Sequence, residues 1–320
     1  MTSPDPGRLG DILMAFLSIL FEGAPYILVG TLLSGFIDAF LPAKLLDRML
    51  PRNKVLATLA AGFMGLIFPV CECAVVPVVR RLVQKGLPIS CAMTYLLSAP
   101  IINPIVILST WTAFQNPSNP NDVSHLVMTV GRVSLGYFIA ILVGLCLLNK
   151  KPGDILHAFI VRGIKPLDTN EENDGTPVRS FDSKLIQAMR TAMRDFLDTA
   201  MYFTIGVMIT SVFNTQVDQS KLQLVAGNDF LAAPALMGLA YILALCSTSD
   251  AFIAAPMQAF SYTAKLAFLV FGPMLDIKLT FMYASVFRRG FLIKLAIALF
   301  VLVGALSGPW AWMLTRFFTR

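Results

Sequence analysis

The sequence predicts an all-α polytopic membrane protein: two internal repeats, with Pro/Gly-broken or re-entrant helices meeting near the membrane midplane. Three observations predict it. Hydrophobic residues fill 56% of the 320 positions and charged ones only 14%, against about 45–50% and about 25% in soluble domains. Mean hydropathy is +0.72, and apolar segments long enough to cross a hydrocarbon core recur along the chain. Twice the apolar pattern is interrupted by proline or glycine beside polar residues, and backbone freed in that way is tolerated in a membrane only against protein or a cavity.

The first apolar segment covers residues 12–41, with Glu22 near its centre. It is too long for the apolar region of a cleaved signal, so a retained span is expected. Loop 42–54 carries Lys44, Arg48, Arg52 and Lys54, and an excess of basic residues places a loop in the cytoplasm. Segment 55–79 contains Pro69-Val70-Cys71-Glu72-Cys73-Ala74-Val75-Val76-Pro77 and ends at Arg80, Arg81 and Lys85. Basic loops on both sides of one apolar segment predict a re-entrant hairpin with its tip near residues 69–73.

Segment 87–114 is then expected to cross outward through Ala99-Pro100-Ile101-Ile102-Asn103-Pro104, and segment 126–148 to return. The polar stretch 149–184 reads as a cytoplasmic linker, dividing the chain into a first transmembrane repeat, 1–148, and a second, 185–320. In the second repeat, segment 185–213 has Asp198 near its middle and segment 230–260 holds Cys246-Ser247-Thr248-Ser249-Asp250. Segment 262–287 holds Gly272-Pro273-Met274-Leu275-Asp276 and Lys278, and segment 291–318 closes with Trp310 and Trp312 at an interfacial belt.

The repeat rests on a shift of 176 residues, which superposes Gly30 on Gly206, Tyr26 on Tyr202 and Glu22 on Asp198. It also sets Cys71-Glu72-Cys73-Ala74 against Ser247-Thr248-Ser249-Asp250. Three crossings and one hairpin per half would give the halves opposite orientation, an architecture that places the solute site at the midplane between repeats. Eight plain crossings in two parallel repeats are the simpler alternative.

At these motifs the chain resembles the predicted permeases grouped with the ArsP organoarsenical exporters and the YraQ-like and YcgR-like membrane proteins. The likeness rests on Pro69-Val70-Cys71-Glu72-Cys73 with Ala99-Pro100-Ile101-Ile102-Asn103-Pro104, and on Cys246-Ser247-Thr248 with Gly272-Pro273-Met274-Leu275-Asp276. It implies a permease, and, for the ArsP branch, export of trivalent organoarsenicals through soft thiols at Cys71 and Cys73. Here Glu72 and Asp276 stand where that family has Ser and Asn, and Asp250 adds another carboxylate.

Thiols with carboxylates suit a divalent metal such as zinc better than a neutral organoarsenical. The expected function is therefore translocation of a small thiophilic or cationic solute, with organoarsenical export as the alternative and an intramembrane thiol oxidoreductase as a further one. Substrate contact is expected from Cys71, Glu72, Cys73, Asn103, Ser247, Thr248, Ser249, Asp250 and Asp276. Metal ligation would fall to Cys71, Glu72, Cys73, Asp250 and Asp276. Glu22, Asp198 and Lys278 are the expected coupling or counter-ion groups, with Lys278 read as the central cation and Asp276 or Asp250 as its partner. Asn103 and Asp276 are also expected to cap the backbone freed at the breaks.

No Walker motif is present, which argues against a self-contained ATP-driven pump, and no nucleic-acid motif accompanies the net charge of +6. No tightly bound cofactor is expected beyond a transported metal ion. The bilayer, the solute, and a homodimer mate or accessory membrane subunit are the expected partners, in the cytoplasmic (inner) cell membrane.

Overall fold

The computed structural model describes residues 6–41, 51, 53–68, 70–116, 123–157, 160, 181–214 and 229–318. Pro69, most of loop 42–54 and most of the linker lie outside them. In the N-terminal half the chain forms α1 (Pro6–Phe40), α2 (Lys54–Gly62), α3 (Met64–Ile67), α4 (Glu72–Gln84), α5 (Ile89–Ser98), α6 (Pro104–Phe114) and α7 (Ser124–Cys146). After α8 (Pro152–Ile155), the C-terminal half forms α9 (Phe181–Asn214), α10 (Asp229–Leu243), α11 (Asp250–Ala254), α12 (Tyr262–Met274), α13 (Ile277–Ala284) and α14 (Arg289–Phe318).

Among the described residues five stretches are long and apolar enough to cross a membrane: Leu9–Phe40, Ser124–Cys146, Asp182–Phe213, Arg289–Phe318 and Tyr262–Ala284, the last interrupted at Leu275 and Asp276 between α12 and α13. The other apolar segments are divided at the breaks into shorter helices such as Ile89–Ser98 and Pro104–Phe114. Polarity is reversed relative to a soluble protein. Phe21, Val29, Met193, Ile297 and Trp312 are exposed, while Glu72, Arg132, Asp250, Asp276 and Lys278 are buried. Such a surface is stable against lipid, where apolar side chains need no cover and interior charges must pair.

The packing fixes how the helices run. Helices α1 and α9 are antiparallel: Phe203 lies against Gly23, the Ser34 hydroxyl donates to Asp195 at 2.7 Å, and Thr191 donates to Asp38 at 3.1 Å. Helix α4 runs parallel to α1, with Ala74 against Gly30 and Lys85 reaching the Asp38 carbonyl at 2.7 Å. Helix α4 ends at Gly86, whose φ of 100° is the left-handed conformation that favours glycine after a helix. There the Leu87 amide donates back to Leu82 at 2.9 Å, and the chain turns into α5.

Helix α5 runs alongside α2 in the same direction, with Ser98 Oγ donating to the Gly62 carbonyl at 2.9 Å and Thr58 4.0 Å from Cys91. Helices α2–α3 therefore lead in and α4 leads back, as two arms open toward the end marked by Lys85. The second such pair, α10 and α11, is oriented from the other end. Ala240 lies against Gly272 of α12, while Ala255, just past α11, accepts from Lys265 at 3.2 Å, with that ammonium 5.7 Å over the Phe114 ring.

Near the Lys85 end, α1, α4 and α9 are fastened by charge. Arg81 donates to both oxygens of Asp195, each at 2.9 Å, while Arg80 meets the more exposed Asp198 at 3.4 Å. The Asp195 side chain is only 2% exposed, so losing its guanidinium partner would strand a buried charge. Arg81→Met is expected to lower unfolding stability by about 3 kcal/mol, whereas Arg81→Met combined with Asp195→Leu should recover most of it. Thermal unfolding of the purified protein in detergent measures both.

Candidate functional site

The site forms where the two broken regions meet. Glu72 is the first residue of α4, where a carboxylate is favoured by the positive end of the helix dipole. The chain after α10 brings Ala244-Leu245-Cys246-Ser247 up to it. Ala244 takes a φ of 47°, a left-handed conformation costing a non-glycine residue about 1–2 kcal/mol, and this bends the chain at the tip. Ser247 Oγ then donates to Glu72 Oε2 at 2.9 Å, with Cys246 Sγ 4.0 Å from the same oxygen.

From α13, Lys278 Nζ reaches Glu72 Oε1 at 3.2 Å and lies 3.7 Å from Asp276 Oδ2. Asp276 caps α13 through Oδ1, accepting the Leu279 amide at 2.6 Å. Asn103 caps α6 in the same manner, accepting from Ile105 at 3.0 Å, so both residues take the capping role expected of them. Two glycines seat the pair: a Cβ at Gly30 would fall 2.6 Å from that of Ala74, and one at Gly206 would fall 2.7 Å from the Lys278 Cα. The shift of 176 had matched these same glycines.

A cavity of about 170 Å³ reaches this point, walled by Cys71, Glu72, Cys73, Cys246 and Lys278. Its remaining wall includes Glu22, Gly23 and Tyr26 of α1 and Phe203 of α9. Glu22 and Tyr26 are exposed, so the cavity opens beside the N-terminal half of α1. It presents thiols around the Glu72–Lys278 ion pair, with the exposed Glu22 carboxylate also in its wall.

Asp250 stands apart from that cavity. Arg132 of α7, 1% exposed, grips both its oxygens at 2.9 and 2.6 Å, and donates also to the Ser247 carbonyl at 3.0 Å and to Thr110 at 2.8 Å. Thr248 and Ser249 turn inward on their own loop, bonding Cys246 Sγ at 3.5 Å and the Cys246 carbonyl at 3.1 Å. Of the expected set Cys71, Glu72, Cys73, Asp250 and Asp276, the structure places Glu72 and Asp276 beside Lys278 and Asp250 beside Arg132, and among the described residues no three of His, Cys, Asp and Glu form a group able to hold a metal ion. Lys278 is not the sole central cation, and its nearest acid is Glu72.

Asp198 lies at the surface, 60% exposed, bound to Arg80. Arg132, the Arg81–Asp195 pair and the cavity-facing Cys246 were not among the expected site residues. The signal for Arg132 was present: an arginine within an apolar span marks a functional or structural pairing by default.

Interior charges, an apolar exterior and helices long enough to cross a membrane define a multi-pass integral membrane protein. The chain belongs to the predicted permease family ArsP_1, whose model matches residues 8–308. It is 36% identical over 296 residues to the UPF0718 protein YcgR of Bacillus subtilis, covering 91% of this chain and 94% of that protein. It is also 33% identical over 290 residues to a Streptococcus mutans protein described as a proposed subunit of a two-component membrane permease complex, covering 90% of this chain and 91% of that one. No solved structure matches.

Two outcomes follow from the geometry. Arg132→Met should destabilise the protein by about 3–5 kcal/mol by leaving Asp250 buried and unpaired, and Arg132→Met with Asp250→Leu should restore much of that loss in the same unfolding measurement. Gly206→Ala forces a methyl against the Lys278 backbone and is expected to cost about 1–3 kcal/mol. Gly238→Ala, at a position with open space around it, serves as the control and should change little.

Proposed function

We propose that this chain is the solute-translocating subunit of a permease, and that its solute is a small thiophilic species met by Cys71 and Cys246 beside the Glu72–Lys278 pair. The observation that carries this reading is the cavity, in which thiols from both halves face an already neutralised carboxylate. A divalent cation would have to displace Lys278 before it could bind Glu72, and the other carboxylate of the wall, Glu22, is exposed. A soft metalloid needs only sulfur, so trivalent arsenic chemistry fits the lining better than zinc.

The antiparallel α1 and α9, and the two helix pairs opening toward opposite ends, support an inverted-topology repeat with its site at the interface. The basic residues Arg80, Arg81 and Lys85 favour a cytoplasmic position for the first of those ends. The description of the Streptococcus mutans relative supports a second membrane subunit as partner.

Proteoliposomes holding the purified full chain provide the test, with a trivalent organoarsenical and Zn²⁺ as alternative solutes. Organoarsenical flux should fall at least about tenfold in Cys71→Ser and in Cys246→Ser. That is the loss of roughly 1.4 kcal/mol of binding. The solute should also protect both thiols from alkylation in the native protein, a readout of binding that stands even if flux requires the second subunit. Flux and protection that ignore both cysteines, with Zn²⁺ transport lost in Glu72→Gln, would overturn the thiol reading in favour of a carboxylate-bound metal.

A further inference from the structure

A second concavity, which shares no lining residue with the first, lies between the end of α7 and the beginning of α14. It is a groove of about 520 Å³, within the roughly 300–1,000 Å³ range of small-molecule sites. Its floor is apolar, with Val143 and Leu147 from one helix and Phe291, Leu295 and Leu302 from the other. Its mouth is basic. Lys150, Arg288 and Lys294 stand there against a single carboxylate, Asp154.

These cations are not consumed by the fold. Lys150 and Lys294 are exposed and make no ion pair among the described residues. Among the described residues the Arg288 guanidinium gives only its Nε, to the Leu156 carbonyl at 3.2 Å. Along α14 the lining runs from Gly290 to Leu302, which at 1.5 Å per residue is about 18 Å. One leaflet of a hydrocarbon core is about 15 Å deep, half of about 30 Å. Charge sits at one end of that length and apolar side chains occupy the rest, with Lys294 placed about one turn inside, where its stem can lie along the groove and its ammonium reach the mouth.

We infer that this groove is a binding site for an anionic phospholipid. The phosphate and its anionic headgroup lie at Lys150, Arg288 and Lys294, and one acyl chain lies between α7 and α14. The match is one of charge and of depth together: basic pockets between membrane helices select anionic headgroups, and an acyl chain is the apolar occupant that a bilayer supplies at that level. A polypeptide would need its own acidic residue above a continuous apolar stripe, which makes it the competing outcome of the test.

The purified full chain, delipidated in detergent, is to be titrated with phosphatidylglycerol and phosphatidylcholine of identical acyl chains, with bound lipid counted by native mass spectrometry. Phosphatidylglycerol should be retained preferentially. Lys150→Gln with Lys294→Gln should weaken that retention about tenfold or more, given about 1 kcal/mol per basic residue near an anionic headgroup, without altering phosphatidylcholine. Ala298→Trp, which fills the groove and leaves the charge unchanged, should displace phosphatidylglycerol as well. Arg288 is left intact because it also holds the Leu156 carbonyl. Equal retention of the two lipids by the native chain, a preference that survives both variants, or a polypeptide found in the groove would each overturn the assignment.

Discussion

At the two broken regions the buried carboxylates Glu72 and Asp250 are each met by a counter-charge from the other half of the chain. Glu72 opens a helix of the N-terminal half and is neutralised by Lys278 of the C-terminal half. Asp250 opens a helix of the C-terminal half and is neutralised by Arg132 of the N-terminal half. Removing one member of such a pair strands the other in a medium that cannot solvate it, a larger effect than the pair's own net contribution to stability. The halves are thereby committed to one another in register. A slip of either half by a single helical turn, about 5.4 Å, would unmake both pairs.

Backbone breaks make the pairing geometrically available. Uninterrupted helices would hold Glu72 and Ser247 within their own ladders. Because α3 ends before Glu72 and α10 ends at the left-handed Ala244, two chain tips meet end to end, and a hydroxyl, a thiol and a carboxylate converge. The backbone groups that the breaks release are taken up locally. Asn103 and Asp276 cap the helices that resume after their breaks. Gly30 and Gly206 then let α1 and α9 approach closely enough to seat α4 and α13, the use of small residues by which membrane helices gain contact.

The apolar segments, the two breaks and the capping roles of Asn103 and Asp276 are legible in the sequence because each is local: hydropathy over about 20 residues, a proline, an Asn or Asp just ahead of a helix. The partners of the carboxylates are not local. Glu72 and Lys278 are 206 residues apart, and Arg132 and Asp250 are 118 apart. The sequence displays the acids, but the bases that meet them are distant along the chain. Asp198 drew attention through its match to Glu22 under the 176-residue shift, while the acid buried against Arg81 is Asp195, almost one turn earlier on α9. Arg132 was lost in the average of an otherwise apolar segment. The re-entrant hairpin expected with its tip near residues 69–73 rests on charge in the flanking loops and not on contacts inside the bundle.

Helix α4 joins the two charged regions mechanically. Glu72 at its start lies in the cavity and Arg81 near its end is bound to Asp195 of α9. The nine steps from one to the other make a rod of about 13 Å at 1.5 Å per residue, and Pro77 within it removes one hydrogen bond while the helix continues. Packed interiors are bistable more readily than they are continuously deformable. A displacement of α4 along its axis would disturb the Glu72–Lys278 and Arg81–Asp195 pairs together, so the two charged regions are joined through one helix.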